Sequence, residues 1–536
     1  MGLLLLAAPP ASNYFWGVNG LRSLPGPGAL ALLLAAAATA LATFAARGGR
    51  VWAVLAAVAV AVVVAFPLRE SIHFLGDTQL RLRSISAFDA GIIEAPFGEW
   101  ASRLHANPLD IVVNLMAPVA LQRAGWPLRD AVSTLCAALA LLYFAGLWRV
   151  TGRLGVATGL RLPIGLALGL TGVLEAFAGY AESAGLLAAT TAWWWAEALA
   201  PLSGTRQALR LALAWLVVVL SHRLGVVLLL PMLWRALGPG WAGDRPGPRR
   251  LLLGITLALA TLGAAVLGLT TAGQLSLTDL REMIGTLHSY GFRYVAPTDW
   301  INTLVLLAPW ALLLPFFAGR EALSACHRRP VFGLGMSAAI PLLFALVLFF
   351  PVGASGLGAQ RDWDSNVILS ITLTVTAGAL AAALPAAALG ARIAWTLPVL
   401  ALASLGFVAV QASEPAAERR ALAVASQPPQ MPGPQVSHAF MFLGQRAMDR
   451  GQARAGAQYF DRAFDLNRNP RRALLAAEAW AVSGDLAAAR RALQRARARG
   501  PLGPDLERVA RRIDGMLAEI AAEPARRVGD STAGGR

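Results

Sequence analysis

The chain has 536 residues, of which 57% are hydrophobic and only 14% charged, and its formal net charge is +16. Soluble globular proteins carry about 25% charged residues, so the composition argues against an ordinary soluble protein. The basic charge would suit a nucleic-acid-binding protein, but much of it falls in short loops between apolar runs, where it sets membrane orientation. No nucleic-acid partner is therefore expected. Every basic residue is Arg, which indicates a GC-rich bacterial genome.

Apolar runs of roughly 17–25 residues, the length a helix needs to cross about 30 Å of hydrocarbon, recur along most of the chain. They predict an all-α fold, a polytopic bundle of about 11–13 transmembrane helices. The predicted spans are 28–46, 51–67, 108–122, 129–149, 161–178, 183–200, 208–236, 250–271, 300–318, 331–350, 365–384 and 393–411. The run 208–236 is long for one span and is divided by His222-Arg223, so it predicts two half-helices or one tilted helix.

Short loops rich in Arg are expected to face the cytoplasm. They are Arg47–Arg50, Arg149–Arg161, Arg245–Arg250 and His327–Arg329. This orientation places the segments 69–107, 273–299 and 352–364, and everything after about residue 412, on the other side. Residues 69–107 mix apolar and charged side chains, which is typical of helices that lie in the membrane interface. Between residues 108 and 180, this orientation requires one crossing more or one fewer than the number of predicted spans. A short or re-entrant segment there would resolve the conflict.

The sequence divides into five predicted segments. They are an N-terminal segment with the first span (1–50), the main transmembrane domain (51–411) with its outer loop 69–107, a Pro-rich linker (412–436), a soluble helical domain (437–522) and a disordered tail (523–536). Within the soluble domain, two helical blocks are offset by about 33 residues, the period of a tetratricopeptide repeat. Residues 503–522 are expected to form a capping helix, because so short an array needs a cover for its core.

Acidic residues at the ends of apolar runs are the first functional candidates, because a carboxylate beside hydrocarbon is costly unless it is paired or hydrated. Asp77 follows Gly76 shortly after the second span. It is a candidate general base, since a flanking glycine lets the backbone approach a substrate. The structural alternative is that Asp77 caps an interfacial helix, because Asp is a favoured N-cap residue.

A second acidic position lies in the stretch from Glu175 through Tyr180 to Glu182. On a continuous helix the two glutamates would share one face. A break at Gly179 would instead place Tyr180 and Glu182 in a turn at the outer edge. Glu182 is a candidate catalytic residue, with Glu175 and Tyr180 as candidates for substrate binding. The alternative is that Glu182 only caps the helix beginning at Ser183.

The third group is Arg361-Asp362-Trp363-Asp364, which stands at the mouth of a predicted span. Arg361 suits phosphate recognition, because a planar guanidinium binds phosphate through two parallel hydrogen bonds. Asp362 and Asp364 are further candidates for substrate binding. The alternatives are that Asp364 is an N-cap, that Trp363 is an ordinary interfacial aromatic residue, and that an exposed Arg361–Asp362 pair contributes little.

Three basic or titratable residues complete the candidates. His222 and Arg223 lie in an apolar stretch, where a cation needs a carboxylate, a phosphate or water. The phosphate of an anionic lipid is one candidate partner, and an acid described above is the other. His288 in the outer loop is a candidate for substrate binding or an ordinary loop residue. No metal-ligand spacing of His and no phosphate-binding glycine loop with Lys occurs, so nothing favours an ATP-driven pump.

The order of these features resembles the GT-C superfamily of integral-membrane glycosyltransferases. Gly76-Asp77 is similar to the acidic position of that superfamily's first outer loop, and Asn107-Pro108-Leu109 is similar to the start of the span after it. The stretch from Gly179 to Glu182 resembles a second acidic position of related bacterial proteins, and His222 and Arg361–Asp364 resemble features of one bacterial branch. The likeness covers about residues 50–410. It departs at Glu182, where many relatives have Asp, and at His222-Arg223, where many have Lys-Gly.

The resemblance implies inverting transfer of a sugar from a polyprenyl-phosphate donor at the periplasmic face of a bacterial inner membrane. Asp77 would take the proton of the acceptor hydroxyl, and Glu182 would orient the acceptor or hold a divalent cation. Arg361, with Arg223 or that cation, would stabilise the leaving phosphate. Mg²⁺ or Mn²⁺ is the one candidate cofactor. The implied partners are the lipid-linked sugar, membrane lipids and a protein bound by the repeat domain.

Two other classes of function stay open at this point. A secondary transporter or lipid flippase is favoured by His222-Arg223 within an apolar run, because transporters place polar sites near the bilayer midplane. Against it, the acids lie at the outer ends of predicted spans and the membrane part contains no internal repeat that we find. A noncatalytic membrane scaffold acting through the repeat domain is the third class.

Overall fold

The computed structural model describes Ser23, residues 50–72, Thr78, residues 81–82, 85–86, 107–271, 295–317, 324–326, 329–348, 363–427 and 433–533. The described residues form helices joined by turns and contain no β-strand, as predicted for an all-α fold. They divide into two compact units, an N-terminal unit up to residue 417 and a C-terminal unit from residue 418. The predicted span 28–46 and most of the outer segments 69–107, 273–299 and 352–364 lie outside the described residues.

The helices of the N-terminal unit follow the predicted apolar runs closely. They are α1 (Arg50–Ala65), α2 (Pro108–Ile111), α3 (Ala117–Arg123), α4 (Leu128–Arg153), α5 (Arg161–Gly169), α6 (Ser183–Ala198), α7 (Thr205–Ser221), α8 (Leu229–Leu237), α9 (Pro246–Thr271), α10 (Val295–Leu307), α11 (Pro309–Phe317), α12 (Pro330–Leu348), α13 (Val367–Ala381) and α14 (Ala386–Ala412). Helix α15 (Glu414–Ser426) occupies part of the predicted linker and crosses the boundary between the units.

Few of the described helices combine the length and the apolar composition needed to cross a membrane. In the part of the chain that the structure describes, α4 alone is by itself long and apolar enough to cross a bilayer. Residues Thr396–Ala412 and Glu414–Ala423 pass the same test only when they are taken together as one broken span. The polytopic bundle therefore remains a prediction.

Helix α6 is the buried centre of the N-terminal unit. All of its residues except Thr190 and Trp193 are buried, and it packs against α4, α7 and α13. The backbones of α4 and α6 approach closely at Gly146, where an added Cβ would lie 3.0 Å from the Cβ of Ala192. This contact requires a residue without a side chain at position 146, and it brings α4 and α6 together along their length.

Contacts between distant residues establish which helix ends lie together. At one end, which we call the arginine end, Arg149 pairs with Glu197 and Arg329 donates a hydrogen bond to the Ala382 carbonyl. At the opposite end, the Glu70 N–H donates to the Ala178 carbonyl at 2.7 Å. Because α4 and α6 both finish at the arginine end, they run parallel, and the chain between them must return to the opposite end.

The returning segment does not form the single helix predicted for 161–178. Helix α5 ends at Gly169, and a 3₁₀ helix (Gly172–Phe177) continues the path, buried throughout. The regular helix stops where two glycines allow neighbouring side chains to reach the backbone. A Cβ on Gly169 would lie 2.4 Å from the Phe144 ring, and one on Gly172 would lie 2.6 Å from Leu306.

The run 208–236 is divided at His222-Arg223 into two helices, α7 and α8, as in one of the two predicted forms, but the chain reverses direction between them, and we call this pair the α7–α8 hairpin. His222 is extended (φ −162°, ψ 136°), and a 3₁₀ helix (Arg223–Leu228) leads into α8. The chain folds back directly onto α7 at Gly225, where an added Cβ would lie 2.8 Å from the Val218 carbonyl carbon. Trp215 Nε1 donates to the Gly225 carbonyl at 3.1 Å, which closes the hairpin tip. The absence of a side chain at position 225 is the physical reason for the reversal.

The loops at the arginine end are held by one buried ion pair. Arg235 of α8 is 1% exposed and Asp244, in the loop before α9, is 3% exposed. The guanidinium contacts both carboxylate oxygens, at 2.6 and 2.8 Å. Their backbone partners are the N–H groups of Leu202 and Trp241, which donate to Asp244, and the carbonyls of Ala198 and Ala200, which accept from Arg235. The loop before α7 and the loop before α9 are therefore joined through one guanidinium.

The pKa of Asp244 reflects these contacts. Burial opposes ionisation of the carboxyl, but hydrogen bonds from Arg235 and from the N–H groups of Trp241 and Leu202 outweigh it, so the pKa of Asp244 lies below its ordinary value. A carboxyl whose pKa is depressed by folding stabilises the fold at all pH values above its unfolded pKa of about 3.9. This stabilisation is lost as the pH falls through the folded pKa.

We expect Asp244→Asn to lower the free energy of unfolding by roughly 3 kcal/mol at pH 7, because it leaves Arg235 buried without a counter-charge. Thermal unfolding of the purified protein in detergent measures the effect. The difference from wild type should be equal at pH 7 and pH 5 and should shrink below about pH 4. Asp130→Asn is the control, since the Arg69–Asp130 pair is 37% and 45% exposed and should cost less than about 1 kcal/mol. Equal effects of the two substitutions would contradict the prediction.

The C-terminal unit contains two helical hairpins followed by a long helix. Its helices are α16 (Gly433–Asp449), α17 (Ala453–Leu466), α18 (Pro470–Val482), α19 (Leu486–Arg497) and α20 (Pro504–Ala533). The hairpin turns contain Gly451 (φ +73°) and Gly484 (φ +84°), 33 positions apart, and this left-handed conformation favours glycine. The core includes Phe460, Leu474, Leu493 and Ile513. Membership of the tetratricopeptide family stays a prediction.

Helix α20 covers the second hairpin, as expected of a capping helix, by packing against α18 and α19. It is longer than the predicted 503–522, because it continues to Ala533. The predicted disordered tail from residue 523 is thus helical over most of its length.

Candidate functional site

Four buried polar residues, Arg81, Asp110, Asn114 and Glu182, form what we call the polar cluster. Arg81 Nη1 donates to Asp110 Oδ2 at 2.9 Å, and Asn114 Nδ2 donates to Asp110 Oδ1 at 2.7 Å. Asn114 Nδ2 also donates to the Glu182 carbonyl at 3.0 Å. None of the four residues is more than 8% exposed. The cluster thus joins residue 81, the helix after Pro108 and the start of α6.

The local sequence explains how α2 presents these groups. Pro108 occupies the first turn of α2, where its missing N–H is not needed. Asp110 lies in the same turn, where a negative charge is favourable at a helix N-terminus. Asn114 follows four residues later, within a π-helical turn (Val112–Met116). Such turns are rare and are frequent at functional sites.

Tyr180 links the second and third acidic stretches of the sequence. Gly179 has φ +74°, so the helix is broken there, as one of the two predicted alternatives required. The Tyr180 hydroxyl donates to Asp364 Oδ2 at 3.2 Å, and the Tyr180 ring lies 5.9 Å from the Trp363 ring, centroid to centroid. Two segments separated by 184 positions are therefore in direct contact, and Glu182 lies two residues beyond that contact.

The capping alternatives for Glu182 and Asp364 can be compared with the helix starts in the structure. Glu182 stands at the N-cap position of α6, but its side chain makes no capping hydrogen bond. Asp364 lies inside a 3₁₀ helix (Trp363–Asn366), and the N-cap of α13 is Asn366. The Glu182 side chain therefore does not cap α6, and Asp364 does not stand at the N-cap of α13.

The tip of the α7–α8 hairpin lies beside the polar cluster. His222 Nδ1 accepts the Leu224 N–H at 3.1 Å, so the proton of the neutral imidazole lies on Nε2. The Arg223 N–H donates to Asn107 Oδ1 at 3.2 Å, while the Arg223 side chain is exposed. The charges of Asp110 and Arg81 are close enough to act on His222. His222 and Arg223 therefore lie at the end opposite the arginine end.

The structure describes six of the ten predicted site residues. Asp77, His288, Arg361 and Asp362 lie outside the described residues. Thr78, which follows Asp77 in the sequence, is completely buried. Glu175 is also completely buried, within the 3₁₀ helix that precedes Gly179. The structure brings Glu182, Tyr180, Asp364 and His222 to the end that holds the polar cluster.

Sequence reasoning missed Arg81, Asp110 and Asn114 as site residues. A signal for Asp110 was present, because it is a carboxylate inside the predicted span 108–122 and such residues are functional candidates by default. Asn114 follows at the four-residue spacing that places two side chains on one helix face. No comparable signal marked Arg81, which stands among other charged residues of a polar segment.

A divalent-cation site is not formed by the residues that the structure describes. They include no group of three or more His, Cys, Asp or Glu side chains arranged around one point. Both carboxylate oxygens of Asp110 accept hydrogen bonds from Arg81 and Asn114, so this acid is already neutralised. The reaction proposed below therefore assigns no step to Mg²⁺ or Mn²⁺.

Comparison of the chain with protein-family models, with curated proteins and with solved structures gave no match. The resemblance to GT-C glycosyltransferases therefore depends on the residues and contacts of this chain alone.

The Tyr180–Asp364 hydrogen bond can be tested by a double-mutant cycle. We expect Tyr180→Phe and Asp364→Asn to be non-additive in the free energy of unfolding, with a coupling of about 1 kcal/mol, because each removes the same hydrogen bond. Thermal unfolding of the two single variants and the double variant measures this coupling. Tyr180→Phe combined with Asp130→Asn is the matched control and should be additive. Additivity in the Tyr180–Asp364 cycle would contradict the contact.

Proposed function

We propose that this protein is a membrane glycosyltransferase that transfers a sugar from a polyprenyl-phosphate donor to an acceptor at the non-cytoplasmic membrane surface. The observation that carries the proposal is the Tyr180–Asp364 hydrogen bond, because it joins two of the three acidic stretches. The polar cluster adds Arg81, which is close in sequence to the remaining acidic position, Asp77, through Asp110 and Asn114. Carboxylates, a hydroxyl and guanidinium groups thereby meet at one end of the helical unit.

The separation of the two ends supports a membrane location. Helix α4 has 26 residues, or roughly 39 Å at 1.5 Å per residue, which exceeds the ~30 Å of hydrocarbon. The polar cluster lies near the first turns of α4, and Arg149, Arg235 and Arg329 lie near its last turns. Because Arg-rich loops stay in the cytoplasm, the polar cluster is assigned to the periplasmic side.

The observed helix pairing also supports a consistent crossing order. The stretch 108–123 packs through Leu115 and Val119 with Leu128 in the first turn of α4, and α2 packs against α7. We take this stretch as an interfacial helix that does not cross, and the α7–α8 hairpin as two crossings. The Arg-rich loops then all fall on one side. Among the described residues, one helix passes by itself the test of length and apolar composition. The proposed crossings through 161–178 and 205–237 contain 3₁₀ turns, which membranes tolerate where the protein buries them.

The proposed reaction is an inverting displacement at the anomeric carbon. The acceptor hydroxyl oxygen forms the new bond to that carbon while Asp77 takes the hydroxyl proton. The bond between the anomeric carbon and the phosphate oxygen breaks, and polyprenyl phosphate leaves with the electron pair. Arg361 and Arg223 stabilise the developing phosphate charge, and Glu182 orients the acceptor. The exposed Arg223 side chain at the hairpin tip is positioned for an anionic group arriving from the lipid.

The hairpin also bears on the transporter alternative. That alternative depended on His222-Arg223 lying in the middle of a span, whereas the hairpin tip puts both residues beside Asn107, at the end of the unit. A cation at a helix-hairpin tip suits contact with a lipid phosphate better than a midplane transport site. We therefore favour transfer over transport.

Release of polyprenyl phosphate is the direct test of transfer. Protein in lipid nanodiscs is incubated with a panel of polyprenyl-phosphate hexoses and a bacterial membrane extract as the acceptor source, and free polyprenyl phosphate is quantified by mass spectrometry. We expect Asp77→Asn to lower the release rate by about 100-fold or more, since general-base catalysis contributes roughly 10²–10⁴. Asp130→Asn, which removes a surface acid outside the proposed site, should leave the rate unchanged. Full activity of Asp77→Asn, or no release from any donor by folded wild-type protein, would refute the proposal.

Removal of the C-terminal unit separates the enzyme from the scaffold alternative. A chain ending after Ser426 keeps all residues of the polar cluster and omits α16 to α20, whose core is formed within the C-terminal unit. We expect this chain to retain polyprenyl-phosphate release within about threefold of wild type, because none of the proposed catalytic groups is removed. Complete loss of release by a truncated chain that still unfolds cooperatively would favour a scaffold.

A further inference from the structure

A groove of about 490 Å³ runs along α4, α6 and α7, with one end at the arginine end of the N-terminal unit. Its walls include Leu142, 49% exposed, and Leu213, 60% exposed. The floor is formed by the small residues Ala189 and Ala214. The polar cluster contributes no residue to this groove, so the proposed reaction does not use it.

The groove is a consequence of how the helices pack. Gly146 lets the backbones of α4 and α6 approach until only small side chains fit between them. Helix α7 packs on α6 beside this contact and presents Ala214 where a large side chain would fill the space. Trp193 closes one side, because its Nε1 donates to the Leu142 carbonyl at 2.8 Å. An apolar depression with a fixed shape is left on the outer surface.

Charged side chains occupy only one end of the groove. Arg149 Nη2 lies 2.9 Å from Glu197 Oε1, and Gln207 Nε2 donates to Glu197 Oε2 at 2.9 Å. Both carboxylate oxygens of Glu197 therefore have protein partners. Arg210, exposed on α7, adds a second guanidinium at the same end. Two cations and one anion leave a net positive charge at the rim.

The length of the groove matches one leaflet of a bilayer. On α4 the lining runs from Leu139 to Arg149, which corresponds to roughly 15 Å of helix. The hydrocarbon core is about 30 Å thick, so the groove covers one of its two halves. Its charged end then lies at the level of the headgroups on the arginine side.

We propose that this groove binds one anionic glycerophospholipid of the cytoplasmic leaflet. The phosphate lies against Arg149 and Arg210, and one acyl chain follows Leu142 and Leu213. Basic pockets between helices on the cytoplasmic side are a recognised form of lipid site. The polyprenyl-phosphate donor is not the occupant, because its phosphate would then lie at the opposite end of α4 from the polar cluster. The inference rests on the membrane location proposed above and not on glycosyl transfer.

Native mass spectrometry of the full-length protein in detergent tests the inference. The protein is titrated with dioleoylphosphatidylglycerol and, separately, with the zwitterionic dioleoylphosphatidylcholine. We expect one phosphatidylglycerol to bind at least fivefold more tightly than phosphatidylcholine. Arg210→Gln should weaken phosphatidylglycerol binding about fivefold, the factor for one Arg near an anionic lipid. Ala214→Trp, which fills the groove, should abolish binding of this lipid.

Arg129→Gln is the matched control, because Arg129 is an exposed Arg in the first turn of the same helix, α4, at the other end. It should bind phosphatidylglycerol as wild type does. Equal binding of the two lipids, equal effects of Arg210→Gln and Arg129→Gln, or a dimer that Ala214→Trp dissociates would overturn the inference. Since Arg210 is exposed, its variant tests the site even where Ala214→Trp does not fold.

Polyprenyl-phosphate release from the same preparations separates the two proposals. Lipid binding with the expected variant pattern but no release would refute the transferase and leave the lipid site standing. Release without selective phosphatidylglycerol binding would refute the lipid site alone.

Discussion

The interaction on which the arrangement of the N-terminal unit most depends is the buried ion pair of Arg235 and Asp244. A guanidinium that is 1% exposed is tolerable only with a counter-charge and a full set of acceptors, and both are present here. Because the acceptors include carbonyls that follow α6, and the carboxylate also binds loop amides, the ends of three helices are fixed by one side chain. That fixation sets where α7 starts and where α8 ends, and so closes the hairpin.

At the opposite end of the unit, the buried carboxylate of Asp110 also needs a counter-charge and hydrogen-bond donors. Asp110 is satisfied by Arg81 and Asn114, as Asp244 is satisfied at the arginine end. Nearby, the Glu182 carbonyl accepts from Asn114, Asp364 accepts from Tyr180, and the Arg223 N–H donates to Asn107. Preorganised catalysis needs charged groups that are aligned before a substrate arrives. Charged groups placed around the fixed Arg81–Asp110 ion pair suit that need. We assign the proposed chemistry to this end because Glu182, Tyr180 and Asp364 lie together there.

The sequence predicted the helices well because apolar periodicity and length are local properties. The bounds of α4, α6, α13 and the two repeat hairpins follow from them, as does the contrast between a long apolar part and an Arg-rich helical C-terminus. The sequence patterns did not predict the chain path at glycines that make close contacts. Gly225 lies where the chain reverses between α7 and α8, and Gly169 and Gly172 lie where α5 ends. At the site, Tyr180 and Asp364 were both identified, but their contact spans 184 positions and no local pattern contains it. Asp110 was missed although the rule that selected the other acids applied to it.

Helix α6 is a nearly fully buried rod with an acid at each extremity, Glu182 beside Asn114 and Glu197 beside Arg149. Gly146 presses the middle of this rod against α4, and such close packing leaves the rod little freedom to bend. A small roll about its own axis would therefore displace both carboxylates by the same angle. Whatever binds at the Arg149 end must, by thermodynamic reciprocity, influence the environment of Glu182 to the extent that it favours one orientation of the rod.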